Sequence, residues 1–123
     1  MKRAYRLRKP VQFQRVRRDG RSWSSTLLTL NAAASNRRGI RCGFVVGKRV
    51  GKAVERNRAR RRVREAVRLI YDRITPGWDL VFIVRSTTVV TIEFPQIQST
   101  VEQLLRRAGL WREPLTTADS NKG

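Results

Sequence analysis

The chain contains no histidine, one cysteine and nine acidic residues in a length of 123. Each shortage removes a class of chemistry. Without histidine, the commonest general base and the commonest metal ligand are both missing. Cys42 stands alone, so an intrachain disulfide is impossible and a cysteine-based metal site has no support. In its apolar, strand-like run it reads as a small buried residue. The carboxylates are scattered, with no D-x-D or paired-acid motif, whereas two-metal hydrolysis draws on several that converge. Asp72 and Asp79 read as a helix-end residue and a turn residue. No catalytic residue and no metal ligand is expected. Long hydrophobic runs are missing too: nothing approaches the ~18 apolar residues of a membrane span. The opening MKRAYRLRKPVQF lacks the continuous apolar stretch of a signal peptide. A cytoplasmic protein without membrane contact is the expectation.

What the chain has in excess is positive charge. Twenty-eight basic residues against nine acidic ones give a net charge of +19, and 23 of the 28 are arginine. A planar guanidinium grips phosphate with two parallel hydrogen bonds and stacks on bases, whereas lysine acts mainly as a point charge. The composition points to nucleic acid, and to RNA in particular. A hydrophobic share of 40% is enough for one modest core. A single RNA-binding domain over 1–111 is expected, followed by a polar, patternless and disordered tail, REPLTTADSNKG, over 112–123.

The periodicities suggest α-β-β-β-α-β-α order, in which Trp23 could belong to another short strand upstream of the rest. RLRK at 6–9 looks extended, and Pro10 suits the first position of a helix ending near Gly20. LLTL at 27–30 reads as a strand followed by a polar turn, NAAASNRRG. IRCGFVV at 40–46 reads as another, with Ile40, Cys42, Phe44 and Val46 on one face. A long helix begins soon after Gly51 and runs to about Arg73, stopped by TPG at 75–77. DLVFIV at 79–84 has the unbroken apolar character of a buried strand. In the last helix Phe94, Ile97, Val101, Leu104, Leu105 and Ala108 follow helical spacing, with Thr91 as N-cap and Gly109 at the C-terminal end. The fold class is α+β, one mixed sheet with helices packed on it.

The stretch VERNRARRRVREAVR at 54–68 holds seven arginines. On a wheel of ~100° per residue, Asn57, Arg61, Arg64 and Arg68 fall within ~60° of one another. Ala59, Val63, Ala66, Val67, Ile70 and Ile74 gather on the opposite side. Glu65 lies on a flank beside Arg58 and Arg62, at spacings that allow pairing. A solvated basic tail would not segregate its small apolar residues in this way. The helix therefore docks on a core and displays guanidinium groups outward. The approach GKRVGK adds Lys48, Arg49 and Lys52 beside Arg56, Asn57 and Arg58, near a helix N-terminus whose free N–H groups favour phosphate.

Three other readings compete. GKRVGKA resembles a nucleotide-binding P-loop, but the spacing is one residue short and Ala53 replaces the Mg²⁺-binding hydroxyl. A leucine-zipper basic region needs heptads after the arginines, and TPGW breaks the helix instead. A basic ribosomal protein binding ribosomal RNA fits the composition equally well.

KRVGKAVERNRARRRVREAVR at 48–68 resembles the signature segment, around an R-N-R motif, of the protein subunit of bacterial ribonuclease P. RLRKPVQFQRVRRDGR at 6–21, DLVFIVR at 79–85 and LLRRAGL at 104–110 extend the resemblance over nearly the whole chain. It implies a subunit of an RNA-based endonuclease that removes the 5′ leader of precursor tRNA. The RNA subunit and its Mg²⁺ ions would perform the hydrolysis, with the protein assisting substrate binding and no obligatory protein partner. Lys48, Arg49, Lys52, Arg56, Asn57, Arg58, Arg61 and Arg64 match motif positions that meet the catalytic RNA, and the wheel adds Arg68. The implied second surface is a cleft between the first helix and the sheet, holding the leader. Phe13 matches an aromatic position there, with packing against Val16 as its other reading. Arg17 stands where the family often has a second aromatic, and LLTL lacks an early-strand aromatic, which shifts contacts from stacking toward guanidinium. The implied fold is a two-layer sandwich like some ribosomal protein domains, with a left-handed βαβ crossover that sequence cannot show.

Overall fold

In a computed structural model, which describes residues 6–113, the chain folds as one mixed sheet between helices. The order is α1 (Pro10–Asp19), β1 (Arg21–Ser24), β2 (Leu28–Ala34), β3 (Ile40–Val46), α2 (Ala53–Leu69), β4 (Trp78–Val84) and α3 (Phe94–Arg107). Across the sheet the strands run β1-β2-β4-β3. β3 lies parallel to β4 and is connected to it through α2, while the other neighbours are antiparallel.

Strand alternation divides the side chains between two faces. Leu28, Leu30, Ala32, Ile40, Cys42, Val46, Leu80, Phe82 and Val84 point to the face covered by α2 and α3. From α2 this core takes Ala59, Val63, Ala66 and Val67, and from α3 Ile97, Val101, Leu104 and Leu105. The small alanines let α2 approach the sheet closely, with Phe82 wholly buried beneath. The expected two layers are this sheet and this helix pair. α1 lies on the other face and covers only part of it, closing a smaller cluster of Leu7, Val16, Ala33 and Val81.

Four boundaries differ from the sequence reading. β2 runs through Asn31–Ala34, read there as turn, because those residues pair with Trp78–Val81 of β4. α2 stops at Leu69, and a 3₁₀ turn, Tyr71–Arg73, takes over where Ile70 leaves helical geometry. Thr91 ends a 3₁₀ turn, Thr87–Val90, so the N-cap of α3 is Glu93 and Pro95 falls in the first turn, where its missing N–H is harmless. Asp79 is not a turn residue but lies inside β4 and is buried.

Gly109 adopts a positive φ of 75° just past α3, the left-handed conformation that closes helix ends. The Leu110 N–H then returns to the Leu105 carbonyl at 2.8 Å. Arg112 and Glu113, assigned to the tail by sequence, are tied to the body. The Arg112 N–H donates to the Arg73 carbonyl at 2.7 Å, and Glu113 pairs with Arg106 at 2.9 Å. The rest of the expected tail, 114–123, lies outside the described residues.

Candidate nucleic-acid interface

The arginines of α2 fall into three rows. Asn57, Arg61 and Arg68 face outward and are exposed, as the wheel requires. Arg58 and Arg62 lean the other way, toward Thr87–Ile92. The Arg62 guanidinium donates to the Val89 carbonyl at 2.6 Å and to the Ile92 carbonyl, and Arg58 Nε to the Val90 carbonyl at 2.9 Å. Burial, and then the proximity of Arg58, lower the Arg62 pKa from its ordinary value. Glu65 therefore does not pair with these two. It pairs with Arg68 at 2.6 Å, because carbonyls already engage both of the other guanidinium groups.

The third row, Arg56, Arg60 and Arg64, borders β3. Arg64 lies over the Phe44 ring at 5.7 Å, and Phe44 stacks on Phe82 at 5.9 Å. This leaves Arg64 half-buried rather than in the outward stripe, with its pKa lowered by burial and by neighbouring Arg6 and Arg60. The Nε atoms of Arg56 and Arg64 are buried without a hydrogen-bond partner. Arg6 and Arg60 were not singled out in the sequence; Arg60 stands four residues before Arg64 on α2, and the bridge from Arg6 to Cys42 brings Arg6 beside them.

Lys48 and Arg49 are exposed on a 3₁₀ turn, Lys48–Val50, and Lys52 is exposed at the start of α2. The helix N-terminus is less open than expected, since the Glu55 carboxylate folds back to accept the Lys52 N–H at 2.9 Å. Asn57 Oδ1 accepts from Arg60 at 2.8 Å, so its amide N–H groups remain outward as donors. Among the described residues, no carboxylate pairs with Lys48, Arg49, Lys52, Arg56, Arg58, Arg61 or Arg64.

On the opposite face, the area that α1 leaves open forms a cleft of ≈ 430 Å³. Phe13 and Arg17 line it from α1, Val45, Val81 and Ile83 from the sheet, with Arg21 and Arg85 at its margins. Phe13 belongs to two surroundings at once. Its ring packs on the small cluster with Val16 and also walls the cleft. A Cβ on Gly43 would stand 2.4 Å from that ring, so glycine is what allows it to approach β3 this closely. Arg21 and Arg85 were missed in the sequence, although Arg85 directly follows an evident strand. The Gly47 N–H bonds to the Val84 carbonyl at 3.1 Å, so Arg85 and the Lys48–Lys52 loop share one end of the sheet. Basic side chains thus continue from the cleft around that end to α2.

Among the described residues, no three His, Cys, Asp or Glu side chains gather as a metal site. Burial pushes the Cys42 thiol up to about 12, which leaves it protonated and inert. Among the described residues no helix is long and apolar enough to cross a membrane.

Fold and surface together define a small basic α+β protein of the RNA-binding kind. Residues 1–109 match the family model for ribonuclease P. The chain is 64% identical over 110 residues to the ribonuclease P protein component of Roseiflexus castenholzii, covering 89% of this chain and 90% of that one. It is 55% identical to the corresponding component of Chloroflexus aggregans, over 94% of this chain and 86% of that one. The ribonuclease P protein structure from Staphylococcus aureus superposes with a TM-score of 0.77 at 28% identity, covering 89% of this chain and all of that one. The structure from Thermotoga maritima gives 0.76 at 28%, covering 83% and 96%. The chain belongs to the ribonuclease P protein family. It is a protein subunit of the endonuclease holoenzyme that matures tRNA 5′ ends, and it associates with the RNA of that holoenzyme. The ribosomal-protein alternative gives way to this match.

Proposed function

We propose that α2 and the loop before it hold the RNA subunit, while the cleft beside α1 receives the 5′ leader of precursor tRNA. The RNA contacts are Lys48, Arg49, Lys52, Arg56, Asn57, Arg58, Arg61, Arg64 and Arg68. Arg58 contributes only the part of its guanidinium that Val90 does not engage. One observation carries the reading: the cations of this surface, Arg68 excepted, face no carboxylate among the described residues, so their charge is available to an external polyanion. The cleft suits a single strand, with Phe13 as an apolar wall for a base and Arg17, Arg21 and Arg85 as cations for its backbone.

Hydrolysis belongs to the RNA subunit, with Mg²⁺ held by that RNA and the substrate. The protein's donors do not fit a resident ion, since Asp79, its buried carboxylate, faces two guanidinium groups. No further protein partner is required, and the complex works in the cytoplasm. Reconstitution with a bacterial ribonuclease P RNA tests the whole assignment. Protein alone should cleave nothing, while adding it to the RNA should speed precursor-tRNA cleavage at low Mg²⁺, less so when the leader is shortened. Mg²⁺-dependent cleavage by RNA-free protein would overturn it.

A further inference from the structure

Asp79 is the one carboxylate buried in the described core, and cations outnumber it. In the sheet register it sits between Ala33 of β2 and Arg41 of β3, on the face that carries α1. Arg41 forks onto it, Nε to Oδ1 at 3.0 Å and Nη2 to Oδ2 at 2.8 Å. Arg15 reaches it from α1, Nη2 to Oδ2 at 2.6 Å. Arg37, in the turn between β2 and β3, lines the same recess with Ala34, Ser35 and Asn36, enclosing ≈ 320 Å³.

Asp19 also lies 3.9 Å from Arg15 but is held more closely by Arg18, at 2.8 Å, so four guanidinium groups face two carboxylates and a net charge of two remains. Several donors also stay free: Arg41 Nη1, Arg15 Nε and the whole Arg37 fork make no hydrogen bond among the described residues. The buried carboxylate fixes two of the forks in place before any ligand arrives, so little side-chain freedom remains to be lost on binding. A planar fork, already oriented and still cationic, matches the oxygens of a phosphate.

We propose that this recess binds a phosphodiester group of RNA, at a site separate from both the cleft and α2. It shares no lining residue with the cleft. Arg15 also leaves α1 away from the cleft side, ~100° per residue placing it about 100° from Gln14 and about 160° from Arg17. The inference rests on the family's association with RNA and not on the roles given to α2 or the cleft. The phosphate comes from the RNA subunit or from precursor tRNA, and the measurement separates the two.

The test compares Arg37→Ala with Arg38→Ala in the full-length protein. Both positions are exposed and adjacent and lose the same charge, but only Arg37 lines the recess. One arm measures affinity for the RNA subunit, the other the affinity of the assembled holoenzyme for precursor tRNA. R37A should lose about fivefold in one arm, with a log–log salt slope shallower by ~0.7–0.9, while R38A stays within about twofold of the parent. Inorganic phosphate should in addition shift the Arg15 and Arg41 Nε–H resonances of the free protein, and less so in R37A. If R37A and R38A are indistinguishable in both arms, the recess is only a structural ion-pair site and the inference falls. Arg61→Ala, run alongside, keeps the two ideas apart: loss in R61A with none in R37A overturns the recess and leaves the α2 surface standing.

Discussion

The two faces of the sheet are built from the same alternating strands and end in opposite states. One is sealed: α2 and α3 close over Leu30, Leu80, Phe82 and Val84, all of them buried. The other carries α1 and a small cluster of four buried apolar residues, and what α1 leaves uncovered becomes the cleft with Val45 and Ile83 on its floor. The sealed face supplies stability, and the open one can offer a surface to a ligand because it is not needed for burial. The arginines follow the same division. Arg62 and Arg41 act as internal donors to carbonyls and to Asp79, whereas Arg49 and Arg61 are exposed and, among the described residues, unpaired.

The sharpest contrast between the faces is Phe82 against Ile83, neighbours in β4. Phe82→Ala should lower unfolding stability by about 3–5 kcal/mol, because a fully buried ring leaves a cavity that the helices cannot close. Ile83→Ala should remove roughly 1 kcal/mol, since that side chain is already half open to the cleft. Denaturant midpoints decide it, and equal losses would show that the cleft face is as tightly packed as the other.

Asp79→Ala comes next, at about 2–3 kcal/mol. That is below the loss expected for a fully buried pair, because Arg15 and Arg41 keep partial access to water. The same group predicts an acid dependence. Burial pushes the Asp79 pKa up, but hydrogen bonds from Arg41 and then Arg15 outweigh it, so the net shift is downward from 3.8. A depressed carboxylate contributes stability that is present above its unfolded value near ~3.9 and is lost as pH falls through the folded value. Wild type should therefore lose stability below about pH 4 more steeply than Asp79→Asn. Parallel acid curves for the two would contradict the ion-pair account.

Gly43→Ala is expected to be smaller for stability, about 1–3 kcal/mol from overpacking, but specific to the open face. The new Cβ meets the Phe13 ring, so leader-dependent substrate affinity should fall while affinity for the RNA subunit holds. The smallest stability effects separate the two kinds of arginine. Arg62→Ala should lose about 1–2 kcal/mol by freeing the carbonyls of Val89 and Ile92. Arg61→Ala should stay within about 0.5 kcal/mol of wild type.

Much of this division is legible in the sequence. The alternation in IRCGFVV and the segregation of Ala59, Val63, Ala66 and Val67 from Asn57 and Arg61 define the sealed face, because burial imposes a period that sequence carries directly. The roles of individual arginines do not show in the same way. Arg64 falls within the polar arc of the wheel, yet Phe44 across the sheet draws it down, and Arg58 and Arg62 find carbonyls some thirty residues away. Those partners are tertiary, with no local signature. Asp79 misleads for a related reason. A carboxylate after TPGW looks like turn chemistry, and only the register with Arg41 and the approach of Arg15 show that it can be buried inside a strand.

Exposed cations of α2 and its approach that face no carboxylate among the described residues are expected to carry most of the affinity for the RNA subunit. The most direct test is the salt dependence of RNA-subunit affinity for Arg49→Ala combined with Arg61→Ala, read beside the unfolding midpoint. Both side chains are exposed and unpaired among the described residues, and neither supports the core. The account predicts an unchanged midpoint and a log–log slope shallower by about 1.4–1.8, two phosphate contacts at ~0.7–0.9 each. An unchanged slope in a fully folded double variant would contradict it.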